Sequence, residues 1–296
     1  MTILVTAASG QLGSLVVDAL LERGADPADL VATARDTAKI ERLAARGIRT
    51  AELDYTRPET IAAALDGVDT VLLISGSEPG NRAAGHQNVI DAAKAAGVAK
   101  LVYTSAPKAT TADFALAADH KATEEAIAAS GVPAVIVRNN WYTENYTTDV
   151  SRAATTGVIA ASVGDGRVAS ASRADYAAGA AAVLLEDGHL GKVYEFGGDV
   201  AWNYDELAAA ASDVLGREVG YQRLTTDEHV AALEGFGLDA GTAGFVAGID
   251  DAIRRGVLGD TDGTLARLIG RPTTPLIDGL RATVSVESDS QGRPAA

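Results

Sequence analysis

A chain of 296 residues, 47% hydrophobic and 22% charged, can bury one large core or a core with an appendage. It has no cysteine, and none of its four histidines (His86, His120, His189, His229) pairs at helical metal-ligand spacing; this excludes disulfides and thiolate catalysis and argues against a metal. A net charge of −15 argues against a nucleic-acid partner, because a phosphate backbone would meet mostly like charge.

No apolar run reaches the ~18 residues of a membrane span. The N-terminus lacks the charged region, apolar core and cleavage site of a signal peptide, so a cytoplasmic protein is expected. Ile3–Thr6 reads as a short buried strand that breaks into small residues before an amphipathic helix over Leu12–Glu22. Strand, small-residue turn and helix N-terminus together bring free N–H groups and a helix dipole to one point, which suits a pyrophosphate. The stretch T-A-A-S-G-Q-L-G offers Thr6, Ala8, Ser9, Gly10, Gln11 and Leu12 to such a ligand. Gly10 lets backbone approach phosphate and Gly13 lets the helix pack closely, but Ala7 stands where a full dinucleotide fingerprint has a third glycine.

The second strand, Leu30–Ala34, ends at Arg35, 22 residues after Gly13. An arginine there pairs with a 2′-phosphate and points to NADP(H). A surface arginine is the alternative, and the neighbouring Asp36 would suit NAD. Strand Ile48–Leu53 leads to Asp54, which either accepts from an adenine amino group or caps its own turn. Helix Pro58–Leu65 and strand Thr70–Ser75 follow. Ser75, Gly76 and Ser77 are small enough for ribose or nicotinamide to lie against the backbone, or form a plain turn. After helix Ala84–Ala96, strand Lys100–Ser105 presents Thr104 and Ser105 to the same ligand.

His120 and Lys121 begin a helix, in D-H-K-A-T-E-E, whose pattern runs over Ala122–Ser130. The histidine could deliver a proton and the lysine contact ribose, or both mark a solvated helix start. Gly97 and Gly131 sit where helix ends need a positive φ, and Pro133 opens strand Ala134–Arg138. Directly after it, R-N-N-W-Y-T-E-N sets amides beside aromatics. Asn139, Asn140, Trp141, Tyr142 and Asn145 suit a small planar aromatic substrate, and Asn140, Trp141 and Tyr142 a nicotinamide as well. Packing between lobes is the alternative for Trp141.

This alternation predicts parallel βαβ units through about residue 138. Beyond 139 the rhythm mixes: helices over Arg173–Glu186 and Tyr204–Leu215, strands over Lys192–Phe196 and Val219–Gln222, and mostly helix from 226 to 284. Residues 285–296 read as a loose polar tail.

T-A-A-S-G-Q-L-G, the A-R-D end of the second strand, L-L-I-S-G-S-E, N-V-I-D-A-A-K-A-A-G-V, R-N-N-W-Y-T-E-N, A-S-A-S-R-A-D-Y-A-A and L-I-G-R-P-T-T-P together resemble the NmrA-like atypical short-chain dehydrogenase/reductases. Among these the chain is most similar to the bacterial NAD(P)H:quinone oxidoreductases of the QorB type, from residue 1 to about 284. Members usually read T-G-A-T-G-Q-L-G and R-N-G-W-Y-T-E-N, so Ala7, Ser9 and Asn140 are departures. The resemblance implies an α/β fold: a Rossmann doubly wound parallel sheet with a smaller mixed α/β C-terminal lobe. Residues 1–150, with a later contribution from about 172–197, would bind NADP(H), and 151–284 would cap the substrate. A quinone-type acceptor is implied, with no flavin and no metal, and a homodimer is compatible with it.

Ketone-reducing relatives use a Tyr-x-x-x-Lys pair. Counting back from Lys121 puts Ala117 at the tyrosine position, and Ala106 stands where a catalytic serine would be. Quinone reduction tolerates that loss, since the aromatised product is a weakly basic phenolate and positioning carries most of the catalysis. Water or His120 would then supply protons. Two alternatives remain at this stage: a reductase of another electron-poor aromatic such as a triphenylmethane dye, and an NADP(H)-binding redox sensor without turnover.

Overall fold

The first strand, β1 (Ile3–Val5), sends Ile3 and Val5 into one apolar cluster and Leu4 into another. That is the two-residue period of a strand covered on both faces. The computed structural model describes residues 1–76 and 82–291. After β1 come α1 (Gln11–Glu22), β2 (Leu30–Ala34), α2 (Glu41–Ala44), β3 (Arg49–Glu52), α3 (Pro58–Ala64), β4 (Thr70–Leu73), α4 (Arg82–Ala95), β5 (Lys100–Ser105), α5 (Ala117–Ser130) and β6 (Ala134–Asn139). The second half adds α6 (Thr147–Thr156), β7 (Val158–Ala161), β8 (Arg167–Val168), α7 (Arg173–Leu185), β9 (Val193–Phe196), β10 (Trp202–Asn203), α8 (Tyr204–Leu215) and β11 (Gly220–Arg223). Four helices close the chain: α9 (Thr226–Gly235), α10 (Ala240–Arg254), α11 (Thr264–Ile269) and α12 (Leu276–Gln291).

Seven strands form one sheet in the order β3-β2-β1-β4-β5-β6-β9, and every pairing is parallel. This is the doubly wound Rossmann arrangement, and its order reverses between β1 and β4. A crevice therefore opens beyond the carboxyl ends of those strands. Leu12, Val16 and Leu20 of α1 pack with Tyr176, Ala180 and Val183 of α7 on one face. Ile61, Val89, Ile90 and Ile127 bring α3, α4 and α5 to the other. A third cluster, including Val150, Ile159, Val168, Trp202, Leu207 and Ile253, forms the core of the C-terminal lobe. Parallel β7–β11 and antiparallel β8–β10 pairs make that lobe mixed α/β.

Two sequence expectations need correction. Helix α5 begins at Ala117 rather than Ala122, so His120 lies inside its first turns. Ala117 to Lys121 extend the helix behind Leu116, which caps it without a side-chain hydrogen bond and so gives no sequence signal of the start. Helix α6 and strands β7, β8 and β10 are additions to the sequence pattern; the strands, of two to four residues, carry too few positions to show a period. The polar segment from 285, expected as a loose tail, continues α12 to Gln291, since no glycine or proline interrupts it before Gly292. Residues 292–296 lie outside the described residues.

The β1–α1 turn is tight. Ala7 takes φ +48°, the left-handed region that costs an L-residue ~1–2 kcal/mol. A Cβ on Gly13 would overlap the Ala7 carbonyl and crowd the Ala8 backbone. Ala7→Gly is therefore expected to raise the free energy of urea unfolding by about 0.5–1 kcal/mol. Gly13→Ala should lower it by about 1–3 kcal/mol through overpacking. If Ala7→Gly destabilises the protein, the turn does not hold this conformation.

Candidate active site

The carboxyl ends of β1, β2, β4, β5 and β6 open into one cleft of about 520 Å³. At one end Ser9, Gly10, Gln11, Leu12 and Gly13 form its wall. Gly10 caps α1 with no side-chain hydrogen bond, so the N–H groups of that first turn have no side-chain acceptor. Thr6 and Ala8, expected on this wall, lie beneath it. Both are fully buried; the Ala8 N–H donates to Thr33 O (2.8 Å) and the Ile74 N–H to Thr6 Oγ1 (2.9 Å). The left-handed bend at Ala7 turns its neighbours Ala8 and Thr6 inward while lifting Ser9 and Gly10 into the cleft.

Arg35 and Asp54 stand further along the same wall. Asp54 Oδ1 accepts from the Thr56 N–H (2.9 Å) and Oγ1 (2.8 Å), so this carboxylate caps its own turn. The backbone bond from Thr56, followed by its hydroxyl and the charges of Arg35 and Arg57, holds the carboxyl below the usual range against its partial desolvation.

Ser75, Gly76, Thr104 and Ser105 line the middle. Ser77 lies outside the described residues. The hydroxyls here turn towards protein: Thr104 Oγ1 accepts from the Ser75 N–H (2.9 Å), and Ser105 Oγ donates to Glu124 (2.6 Å). The Gly76 N–H donates to His86 Nε2 (3.1 Å), and His86 Nδ1 faces Thr123 Oγ1 (2.9 Å), whose own hydroxyl donates to Asp119 O. With Nε2 accepting, Nδ1 must carry the proton, so His86 is neutral. Burial first and the Arg82 charge second push its pKa down to about 4.

Beneath this wall Arg138 crosses three elements. It grips Glu124 of α5 through two bonds (2.9 and 2.7 Å), Glu195 of β9 through a third (2.8 Å), and Thr110 through a fourth (2.8 Å). The Glu124 bonds hold its pKa above the ordinary arginine value in spite of burial. Glu195 also accepts from the Lys108 N–H, at a residue with φ +50°. The loop after β5 is thereby fixed over the cleft, where Ala106, Pro107, Phe114 and Leu116 form its apolar end.

The segment after β6 completes that end. Asn139, Asn140, Trp141, Tyr142 and Asn145 all line the cleft. The Asn140 amide is engaged: Nδ2 donates to Leu258 O (3.0 Å) and Oδ1 accepts from the Trp141 N–H (2.7 Å). Trp141 both lines the cleft and packs against the lobe core. Tyr142 lies under the Arg173 guanidinium (4.8 Å) and meets the Tyr176 ring edge-on (5.2 Å). Arg173 also donates to Asn145 Oδ1 (2.9 Å). Asn139 Oδ1 is buried without a hydrogen-bond partner, a site that a ligand N–H or O–H would satisfy.

His120 is not a solvated helix start; it is buried, lines the cleft and lies 2.8 Å from the Tyr103 hydroxyl. Lys121, 100° further round the helix, is exposed beside Glu125 and does not line the cleft, which leaves it no role in contacting ribose there. Tyr55, Arg82, Phe114, Leu116, Arg173 and Leu258 were missed. Arg173 had a signal, the S-R-A-D start of α7 with its Ser172 N-cap. The others come from loops and neighbouring elements that only the fold brings near. Among the described residues, no group of three or more His, Cys, Asp or Glu could hold a metal, and no helix is long and apolar enough to cross a membrane.

Residues 7–187 match the family described as NAD(P)H-binding. The chain is 44% identical to Quinone oxidoreductase 2 of Escherichia coli over 286 residues, 97% of this chain and 100% of that protein. The crystal structure of an NADPH-dependent quinone oxidoreductase from E. coli, complexed with NADPH, superposes with a TM-score of 0.91 at 43% identity, across 97% of this chain and 100% of that one. Triphenylmethane reductase of Citrobacter sp., complexed with NADP(H), follows with a TM-score of 0.90 at 35% identity, across 96% and 100%.

A neutral buried His86 makes stability pH-dependent with a defined sign. Its folded pKa lies below the ordinary 6.5, so its contribution is complete above pH 6.5 and is lost as pH falls towards about 4. The urea midpoint should decline across that window, and more shallowly in His86→Gln, which takes up no proton. Equal slopes in the two proteins would show that His86 titrates normally.

Proposed function

The chain belongs to the NAD(P)H-binding family, and on that premise we propose that it is an NADPH-dependent reductase that passes hydride to a quinone-type acceptor. One observation carries this most directly. A single cleft has an uncapped helix N-terminus and Arg35 towards one end, and a slot of flat apolar side chains without a tyrosine–lysine pair at the other. The likeness to Quinone oxidoreductase 2 supports the same assignment.

The residues present suit the cofactor. The first-turn N–H groups of α1 would take a pyrophosphate, and Arg35 a 2′-phosphate. The backbone of Ser75 and Gly76 would lie along the ribose, and Asn139 Oδ1 would accept from a carboxamide. When bound, a dihydronicotinamide supplies two electrons and a hydrogen. Phe114, Leu116, Trp141 and Tyr142 hold a planar acceptor and exclude water around it. Ala117 and Ala106 leave the alcohol-type acid/base pair out, which a quinone tolerates because its reduced form is a weak base. Residues 1–150 with 172–197 form the cofactor half in this assignment, and 151–284 close over the acceptor.

The Citrobacter likeness favours one second assignment, reduction of a triphenylmethane dye. Steady-state NADPH oxidation with 1,4-benzoquinone, 1,4-naphthoquinone and a triphenylmethane dye separates these. Quinone-dependent turnover is expected; dye-only turnover selects the second assignment, and no acceptor dependence at all points to a non-catalytic sensor. Arg35→Ala should lose about tenfold in the preference for NADPH over NADH, one exposed charge-assisted contact being worth ~1.5 kcal/mol. An unchanged preference removes Arg35 from the 2′-phosphate site.

A further inference from the structure

Resting on the quinone-reductase assignment, we propose that His120 is a catalytic residue that acts as a neutral imidazole: its Nε2–H hydrogen-bonds the acceptor's carbonyl oxygen, and Tyr103 is the positioning residue that fixes this tautomer.

The geometry pairs the two side chains. His120 lines the cleft, as do Phe114, Leu116 and Trp141. Its Nδ1 lies 2.8 Å from Tyr103 Oη, and among the described residues Nε2 makes no hydrogen bond. Tyr103 is fully buried, and burial raises its pKa, so it remains a phenol with a proton to place. Neighbouring Thr123 directs its own hydroxyl to Asp119 O and already faces His86 Nδ1. The Thr123 and Ser75 hydroxyls also lie beside Tyr103; in the proposed arrangement the Tyr103 O–H goes to His120 Nδ1, which puts the imidazole proton on Nε2.

The surroundings keep the ring uncharged. From α4, Arg82 and the neutral His86 approach it; from β5, Tyr103; from its own helix, Asp119, which pairs with Arg82 at 3.5 Å, and Glu124, which is bound to Arg138. Burial first, then Arg82 and His86, lower the His120 pKa to about 3. An imidazolium acid is therefore absent at neutral pH. What this ring offers is a fixed N–H dipole at an oxygen that gains negative charge as the acceptor is reduced. Reduction to the hydroquinone adds two electrons and two protons. A hydride from the dihydronicotinamide would carry both electrons and one proton, water would provide the second proton, and His120 keeps its own.

Protein labelled with 15N-histidine, saturated with NADP⁺ and titrated with 1,4-naphthoquinone, tests this in a complex that cannot turn over. The His120 signals should show the Nε2–H tautomer from pH 5 to 8, and its Nε2 resonance should move on naphthoquinone binding while His86 stays in place. His120→Leu should bind naphthoquinone ~10-fold more weakly, the loss of one neutral hydrogen bond, with NADP⁺ affinity retained. His120→Gln, whose amide can donate from a similar position, should recover most of that loss. Tyr103→Phe should give mixed His120 tautomers. In turnover, kcat for wild type should be flat from pH 5 to 8, without a step near 6.5. An Nδ1–H tautomer in wild type, an Nε2 resonance indifferent to naphthoquinone, or equal binding by His120→Leu overturns the proposal and leaves quinone reduction standing. A single unchanged tautomer in Tyr103→Phe removes Tyr103 from its role. Failure of wild type to bind or reduce naphthoquinone overturns both assignments.

Discussion

Helix α1 can rest on the β1 turn because Gly13 has no side chain: a methyl group there would overlap the Ala7 carbonyl. That contact sets the geometry of much else. It brings the start of α1 against the end of β1, at the point where the strand order reverses. It also requires Ala7 to bend left-handed, which buries Ala8 and turns Ser9 and Gly10 outwards. The uncapped N–H groups of the first turn then face the cleft rather than the sheet. The dinucleotide site proposed here would rest on that close packing, and the helix dipole would add to it.

The other half of the cleft depends on charge. Arg138 draws α5, β6, β9 and the loop after β5 together through Glu124, Glu195 and Thr110. A buried ion pair of this kind contributes little net stability, because desolvation offsets the attraction. Its effect is positional. With Arg138 held, Ser105 turns its hydroxyl to Glu124, and the loop that carries Phe114 and Leu116 stays over the cleft. Removing one partner would leave a buried charge without its match, so the arrangement is also hard to lose one residue at a time.

The sheet was legible in the sequence because its strands are covered on both faces and read as short apolar runs. Leu30–Ala34 and Lys100–Ser105 fall where the pattern puts them. The glycine turn, Arg35 and the strand-end positions were legible too, since their spacing follows from the order of strand, turn and helix. What escaped is what three-dimensional neighbours decide. Thr6 and Ala8 belong to the fingerprint, yet the Ala7 bend places both under the wall. His120 and Lys121 look alike in sequence; one helical step makes one buried and the other exposed. Arg138 reads as the end of a strand, and only the packing of α5 and β9 beside it supplies two glutamates.

The departures from the family pattern have opposite physical signs. At Ala7, where the resemblance leads one to expect glycine, the side chain adds strain to a turn that must be left-handed. At Asn140, again in place of glycine, the side chain adds two hydrogen bonds, one to the Leu258 carbonyl of the C-terminal lobe and one from the Trp141 N–H. A glycine would leave the Trp141 N–H to find another partner, at a cost of about 1–3 kcal/mol if none were found, whereas the Leu258 carbonyl would keep its bond from the Ala169 N–H. In the proposed assignment the strain falls at the cofactor end and the added restraint at the acceptor end. Asn140 therefore ties the Leu258 segment of the lobe to the start of the Trp141 segment, beside the slot proposed to take a planar acceptor.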